Sequence, residues 1–364
     1  MGVTISKKGS GVTTPVTTSN KLFPEGLLGA YAFEREDGPP VLVSQPMLDR
    51  ISVIGWVPLH VIGQQDKKGA AEMRYKKAFQ EAVQHKRAGL RSTKTGSPFA
   101  KGFPKKDEVR AYIRIGPRKT WAEIRLLPEH DDDKTLAAYR LRIEWNPRKA
   151  GPQGMAELNE CLAETALANA DVEAWFAVAE VTRLDIAVDL LDVERADIYS
   201  HMPGETKLQT FARRTTGIET VNHHRSAKIK RRAALVVYDK RQERLDAGKT
   251  PLFGPRPHVR IERSIAFTTK KPTVSGLPSQ PDRLAEFHVR LLRGAEGDVK
   301  RDEQRVAAAS VTYLGVQCAM KVLGGSQAPR VAELAKSDPV FWRTDLLWKR
   351  WPEAVKQAGL SWLS

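Results

Sequence analysis

The stretch that decides the fold is residues 181–190, which read Val-Thr-Arg-Leu-Asp-Ile-Ala-Val-Asp-Leu. Thr182 and four aliphatic residues occupy the even positions, whereas Arg183, Asp185, Ala187 and Asp189 occupy odd ones. Because successive side chains of a strand point to opposite faces, this period of two predicts a strand with one apolar and one charged face. Such strands suit an antiparallel sheet that is covered by helices on one side and stays wet, or binds a ligand, on the other.

The same design recurs on both sides of this stretch. Period-two patterns predict further strands at 109–115, 139–146, 233–240 and 258–265, and an apolar segment predicts one at 46–57. Helical composition predicts helices at 70–88, 155–178 (with a break near Asn169), 302–323 and 339–358. Connections such as 191–232 are too long for hairpins, so we expect an α+β fold whose sheet has helices on one face and a polar catalytic face on the other.

Composition divides the chain into three parts. Residues 1–45 are expected to form an N-terminal tail that is partly disordered, since residues 1–20 are rich in Gly, Thr, Ser and Lys. Residues 46–270 are expected to form the catalytic domain. A stretch containing Pro272, Pro278 and Pro281 follows as a boundary, and residues 283–364 are expected to form a C-terminal helical region.

The charge of the chain is strongly basic. Its 364 residues include 59 Lys and Arg against 43 Asp and Glu, for a net charge of +16. The segment 66–119 alone holds 16 basic and 5 acidic residues. A solvated basic helix and loop would explain this segment, but the concentration of charge favours contact with the phosphates of a nucleic acid.

Several classes of protein are excluded or disfavoured. Two cysteines, Cys161 and Cys318, cannot build a disulfide framework or a Cys-rich zinc site, and a reducing compartment is the simpler interpretation. The chain lacks an apolar run of membrane-spanning length and an N-terminal signal core. It also lacks the phosphate-loop, dinucleotide-binding and H-E-x-x-H motifs. We therefore expect a cytoplasmic protein without a membrane partner.

Three predicted strands place reactive groups on their polar faces. The first carries Asp185 and Asp189, the second Tyr238 and Lys240, and the third Glu262, flanked by Arg260 and His258. Carboxylates that converge from different strands can hold Mg²⁺ or Mn²⁺. A tyrosine beside a phosphate can attack it, and Lys240 could favour the phenolate or contact the phosphate.

The spacing of the two aspartates limits this metal hypothesis. Four residues separate them, so their backbones lie roughly 13 Å apart in a regular strand. Asp185, at mid-strand, is the preferred ligand and Asp189 the second choice.

Each group also has a purely structural interpretation. Asp185 could pair with Arg183 on the surface, Tyr238 could serve packing alone, and Glu262 could be a solvated charge. The adjacent His223 and His224 point to opposite faces of a strand, so we interpret them as a DNA-facing or merely solvated loop rather than a metal site.

The order of these motifs is similar to that of a known family. The strand at 181–190, the segment Ala-Leu-Val-Val-Tyr-Asp-Lys-Arg-Gln-Glu at 234–243 and Val-Arg-Ile-Glu at 259–262 resemble the replication initiation factor family of plasmids and filamentous phages. That family reads R-[IL]-D-x-A-x-D, then Y-[DN]-K-x-x-E, then R-x-E. Residues 48–52 look like its opening strand in the phage branch, and residues 142–149 look like its E-[FW]-N-P-x-K segment. The resemblance covers roughly residues 47–267. The usual G-S-R turn before the tyrosine strand is replaced here by residues 221–226.

The resemblance implies a function and a set of site residues. The protein would start rolling-circle replication by nicking and rejoining origin DNA through a covalent 5′-phosphotyrosine at Tyr238, which leaves a 3′-OH that primes a polymerase. Asp185 and Glu262 would hold the divalent metal, with Glu144 or Glu219 as a third ligand. The His-hydrophobe-His motif of other initiators is absent, so the ligands should be carboxylates.

We expect the partners to be origin DNA, single- and double-stranded, together with a host helicase and polymerase, and a homodimer is left open. The residues expected to contact DNA are basic and lie in loops or on polar strand faces: Lys101, Lys105, Lys106, Arg110, Arg114, Arg225, Lys228, Lys230, Arg231, Arg232 and Arg260.

Two rival functions remain at this point. One is a DNA-binding regulator with the same fold and no catalysis, and the other is a metal-dependent nuclease that acts through water. An initiator would convert supercoiled origin DNA to the open circle, whereas a regulator would not. An initiator would also form a covalent adduct with the DNA, whereas a nuclease that acts through water would not.

Overall fold

The computed structural model describes residues 23–35, 38–57, 109–130, 136–167, 170–205, 207–213, 217–225, 234–292, 306–307, 310, 321–323 and 341–360. These residues form an α+β fold with extensive antiparallel pairing, which confirms the predicted fold class. The predicted helix at 70–88 and the basic loop after it lie outside the described residues.

The described residues contain thirteen strands and five α-helices. The strands are β1 (Gly29–Phe33), β2 (Val41–Ser44), β3 (Met47–Trp56), β4 (Val109–Ile115), β5 (Thr120–His130), β6 (Leu136–Trp145), β7 (Glu180–Leu191), β8 (Ile198–His201), β9 (Lys207–Arg213), β10 (Gly217–His224), β11 (Leu235–Asp239), β12 (His258–Ala266) and β13 (His288–Leu291). The helices are α1 (Pro147–Glu164), α2 (Val172–Val178), α3 (Lys240–Asp246), α4 (Thr344–Trp348) and α5 (Trp351–Gln357). A 3₁₀ turn spans Arg195–Asp197.

The chain divides into two compact units, each built from three separate stretches. Unit 1 comprises Met1–Met47, Ile186–Ser264 and Pro281–Trp351, and unit 2 comprises Leu48–Asp185, Ile265–Gln280 and Pro352–Ser364. Both units contain part of β7.

Unit 2 is a sheet whose inner face is covered by helices. Its strands follow the order β4-β5-β6-β3-β7. The predicted alternation is confirmed in β6, where Tyr139, Leu141 and Ile143 are fully buried while Arg140 and Arg142 remain half-exposed. Trp145 and Phe176 of α2 stack edge to face in this core, with ring centroids 5.8 Å apart.

The helices of unit 2 begin where the sequence offers caps. The Asn146 side chain accepts a hydrogen bond from the Lys149 N–H at the start of α1. The Asp171 carboxylate does the same for the Ala174 N–H in α2. α1 ends at Glu164 and α2 begins at Val172, which confirms the predicted break near Asn169.

Unit 1 continues from the second half of β7 in the order β7-β12-β11-β10-β9. β2 also pairs with β7, and β1 pairs with β2. Within the stretch expected to be a tail, Tyr31 is fully buried and its hydroxyl donates to the Phe341 carbonyl at 2.8 Å. The N-terminal part of the chain therefore supplies two strands to this unit.

The C-terminal region is not helical throughout. β13 lies within it and pairs with β8 in a separate two-stranded sheet. α4 and α5 fall inside the predicted helix at 339–358, and the residues described between 306 and 323 are helical. Within the described ranges, none of the helices combines the length and apolar character needed to cross a bilayer.

The face of β7 that was expected to be polar and wet is buried, so this expectation is wrong for β7. Asp185, Ala187 and Asp189 are all at most 2% exposed, so this strand is buried on both faces. Burial of two carboxylates is tolerated because each is held by an arginine: Arg183 for Asp185 and Arg260 for Asp189.

Candidate active site

Tyr238 lies in unit 1, where strand β11 leads directly into helix α3. Leu235 and Val237 of β11 are fully buried, whereas Tyr238 is half-buried on the opposite side of the strand. The Asp239 carboxylate accepts a hydrogen bond from the Gln242 N–H and caps α3, so the helix starts at Lys240. The junction fixes both the phenol and the lysine two residues later.

The phenol lies between a carboxylate and an ammonium group. The Tyr238 Oη donates to Glu262 Oε1 at 2.7 Å. Lys240 Nζ donates to the same phenol oxygen at 3.2 Å and lies 5.2 Å from the ring centroid. Lys240 also pairs with Glu243 Oε2 at 2.8 Å. The structure thus brings together three residues that the sequence placed on one polar face.

The strand register explains this contact. Tyr238 lies directly opposite Arg260, and Glu262 lies opposite Val236, so Tyr238 and Glu262 are diagonal neighbours on one face. Diagonal pairs of an antiparallel sheet are within reach of an aromatic side chain.

Behind this contact is a buried ion pair. Arg260 Nε and Nη2 donate to the two Asp189 oxygens at 2.6 and 2.8 Å, and His258 Nε2 lies 3.2 Å from Asp189 Oδ1. Burial by itself raises the pKa of Asp189, but the charge of Arg260, the close approach of His258 and the hydrogen bonds from Arg260 outweigh it. The pKa of this carboxyl is therefore held well below its usual range.

Arg260 does not lie where a DNA contact was expected. It is 3% exposed, and its guanidinium binds Asp189 rather than facing solvent. Its Nη1 lies 4.0 Å from Glu262 Oε1, which links the buried pair to the tyrosine site. Its role in this arrangement is to hold carboxylates in place.

Asp185 belongs to a second cluster, in unit 2. Arg183 Nε and Nη2 donate to its two oxygens at 3.0 and 2.6 Å, and Arg50 Nε lies 3.9 Å away. Arg50 Nη1 also donates to Glu144 Oε1 at 3.2 Å, and Arg183 Nη1 lies 3.8 Å from that oxygen. Asp185 and Glu144 are thus joined through arginines.

The predicted metal ligands do not form a cation site as they are arranged. The oxygens of Asp185 and Asp189 are each bound by a guanidinium, and Glu262 accepts the tyrosine hydroxyl. Across the described ranges, no three His, Cys, Asp or Glu side chains lie close enough together to hold an ion. Glu219 lies in β10, and the structure gives the position of its backbone only. The metal stays a prediction.

Apart from Arg260, the predicted DNA contacts fall into three groups. Arg114 and Arg225 are exposed; Arg114 stacks on Trp121 at 4.7 Å, and Arg225 lies 3.5 Å from Glu286. Arg110 lies in β4, where only its backbone is described. The remaining sites lie outside the described residues: Lys101, Lys105, Lys106, Lys228, Lys230, Arg231 and Arg232.

His223 and His224 are buried in β10, so they are not a solvated loop. His223 Nε2 lies 2.9 Å from the Ser200 hydroxyl, and its Nδ1 contacts Glu205. Because this network joins residues more than 15 positions apart on different elements, no local pattern in the sequence indicates it.

A cavity in unit 2 was also not predicted. It has a volume of about 190 Å³, and it is bordered by Arg50, Tyr112, Thr120, Trp121, Glu123, Glu144, Trp145, Asn146 and Lys149. The recurring aromatic and basic residues at 112–121 and 145–149 were the only sequence signal available for it.

Comparison with models of known protein families finds no match, and neither does comparison with curated protein sequences.

Proposed function

We propose that the protein starts rolling-circle DNA replication as a nickase that cuts and rejoins origin DNA, with Tyr238 as the nucleophile. The observation that carries the proposal is the placement of the phenol oxygen, 2.7 Å from Glu262 and 3.2 Å from Lys240. A phenol held between a proton acceptor and a cation is arranged as an activated nucleophile is elsewhere. The order of the motifs around it and the net charge of +16 support the same function.

In the proposed step, Glu262 accepts the proton of Tyr238 as the phenol oxygen attacks the phosphorus. The Oη–P bond forms while the P–O3′ bond breaks, and the 3′ oxygen takes a proton from water to become a hydroxyl. The proton that Glu262 accepted then passes to solvent and neutralises the hydroxide. Lys240 stabilises the negative charge that develops on the phenol oxygen. The ester bond is exchanged rather than hydrolysed, so the reverse step rejoins the strand without ATP.

Arg260 acts through Glu262. Its guanidinium is anchored by Asp189 and lies 4.0 Å from Glu262 Oε1. An arginine fixed in this way holds the carboxylate in reach of the phenol, which makes Arg260 and Asp189 positioning residues.

No step in this proposal is assigned to a metal, because the carboxylates predicted to bind it are engaged by arginines and by Tyr238. Dependence on Mg²⁺ or Mn²⁺ is measured directly by running the nicking assay with either ion and with EDTA.

The test is adduct formation on the supercoiled DNA of the replicon that encodes the protein. We expect the wild-type protein to convert it to the open circle and to become linked to the 5′ end through a peptide containing Tyr238. Tyr238→Phe should fold, bind the DNA and form no adduct, because it lacks only the phenol oxygen.

Tyr199→Phe is the matched control, since Tyr199 is a strand tyrosine of the same unit that is 4% exposed. Adduct formation by Tyr238→Phe would overturn the assignment. Binding without cleavage would point to a regulator, and cleavage without an adduct would point to a nuclease that uses water.

A further inference from the structure

The polar face of unit 2 carries arginines paired with carboxylates. Tyr112, Glu123, Glu144 and Ser52 form one row across β4, β5, β6 and β3, because each is paired with the next in the strand register. Arg125 and Arg142 are paired in an adjacent row, and Arg114 and Trp121 are paired on the other side.

The carboxylates of this face orient the guanidinium groups. Arg125 Nη2 donates to Glu123 Oε2 at 2.6 Å, and the arginine side chain is 23% exposed against 12% for the glutamate. Arg50 and Glu144 show the same order, since their side chains are 29% and 20% exposed. In both of these pairs the arginine is the more exposed partner.

The cavity opens among these residues and has aromatic walls. Tyr112 and Trp121 meet edge to face, with ring centroids 6.4 Å apart, and Arg114 lies over the Trp121 ring at 4.7 Å. Arg50 and Lys149 add two cations to its border, and Glu123 and Glu144 add two carboxylates that accept hydrogen bonds from arginines. A flat aromatic ring beside fixed cations is the arrangement that takes an unstacked base and its phosphate.

From this geometry we infer that the cavity binds one base of single-stranded DNA, stacked on Trp121, while the arginines of the face contact the flanking phosphates. Duplex DNA does not fit this role, since its bases are already stacked and paired. The inference rests on the proposed function only for the choice of DNA as the nucleic acid.

The experiment measures binding apart from cleavage. The full-length protein carrying Tyr238→Phe is titrated in EDTA against a fluorescein-labelled ten-residue oligo(dT), and anisotropy gives the Kd. Replacing Trp121 by Ala should weaken binding by about 5- to 100-fold, since stacking contributes of that order for each base. Trp121→Phe should restore most of the affinity.

Trp56→Ala is the matched control. Trp56 is 56% exposed and has Arg140 over its ring at the same 4.7 Å, but it does not border the cavity. We expect it to change the Kd less than twofold. Thermal unfolding of each variant shows whether the fold is kept.

A scan with abasic sites locates the base. Removing one base at a time from the oligonucleotide should weaken wild-type binding at one position in particular. In Trp121→Ala the loss at that position should disappear, and with duplex DNA the variant and the parent should bind alike.

Several results would overturn the inference: an unchanged Kd for Trp121→Ala, an equal loss for Trp56→Ala, or tighter binding of oligo(U) than of oligo(dT). These outcomes are independent of the nucleophile, because every protein in the titration carries Tyr238→Phe. An adduct at Tyr238 of the otherwise wild-type protein alongside an unchanged Kd would leave the proposed function in place and reject this site alone.

Discussion

At the scale of single residues, the Asp189–Arg260 pair of unit 1 should be the most sensitive ion pair. Asp189 is completely buried and accepts two hydrogen bonds from Arg260. Asp189→Asn leaves the buried guanidinium without its counter-charge, so we expect a loss of about 3–5 kcal/mol in the free energy of unfolding. Urea denaturation at pH 7 measures this loss.

Asp345→Asn is the control, because Asp345 also binds an arginine through both oxygens but is 62% exposed. A loss below about 1 kcal/mol is expected there. Equal losses in the two variants would show that burial does not set the strength of the Asp189 pair.

The same pair predicts a dependence on pH. The folded state holds the pKa of Asp189 well below its usual range, so the pair stabilises the fold above the unfolded pKa of about 4. This stabilisation is lost as the pH falls through the lowered, folded pKa. The difference in unfolding free energy between wild type and Asp189→Asn should be constant from pH 7 to about 5 and should shrink below pH 4. A difference that stays constant down to pH 3, or grows, would contradict the lowered pKa.

The residues around Tyr238 show what could be predicted from the sequence at this scale. Tyr238 and Glu262 were placed on the polar faces of their strands by a period of two, and they do meet. Lys240 was expected on the same strand as Tyr238, but it is the first residue of α3 and reaches the phenol from there. The partners of Asp185 and Asp189 could not be predicted, because alternation marks a charged side chain as polar without showing whether an arginine from another strand covers it. Arg260 was expected to contact DNA for the same reason.

At the scale of elements, the turn between β4 and β5 offers a test of close packing. Gly116 has φ +72°, and a Cβ there would lie 2.3 Å from the Ala150 carbonyl oxygen of α1. Gly116→Ala should therefore combine backbone strain with a clash against backbone that cannot move aside. We expect a loss of about 2–4 kcal/mol in the free energy of unfolding, measured with urea.

Gly151→Ala separates the two effects within the same unit. Gly151 has φ +63° and ψ −176°, a conformation that essentially only glycine adopts, but there is open space around its Cβ position, so only a backbone strain of about 1–3 kcal/mol should be lost. If both variants lose the same amount, the contact between the turn and α1 adds nothing to stability.

Among the elements, six strands were predicted within three residues of their observed ends: β4, β6, β7, β11 and β12 from their alternation, and β3 from its apolar residues. β1, β2, β5 and β8–β10 were not predicted. β1 and β2 are short, and in β2 every residue is buried, so a period of two has no contrast to reveal it. β13 was missed because its four residues lie in a stretch of helical composition.

At the scale of the whole molecule, the excess of positive charge predicts binding that depends strongly on salt. Lys101, Lys105 and Lys106 belong to the basic segment 66–119. Replacing all three by Ala should flatten the slope of log K against log salt for DNA binding by up to about three, because fewer counterions are released. Titrations between 50 and 200 mM salt measure this, and an unchanged slope would place the DNA-binding surface elsewhere.

The division into units could not be read from the sequence. Composition suggested a tail, one domain and a helical region in chain order, whereas each unit takes up three separate stretches of chain. Local periodicity identifies strands but carries no information on which distant strands pair. β7 and β12 each pass from one unit to the other, yet in the sequence they look like any other alternating strands.

The hydrogen bond between Tyr31 and Phe341 joins residues that are 310 positions apart, so its two partners are translated at very different times. At about 5–20 residues per second, β1 emerges roughly 15–60 s before its acceptor is translated. Throughout that interval the apolar side chains of β1 and β2 have no finished core to enter, so the nascent chain should depend on chaperones. Translation that stops before Phe341 also removes its edge-to-face contact with Phe33. A truncated product of this kind is therefore expected to be degraded rather than to survive as a smaller folded protein.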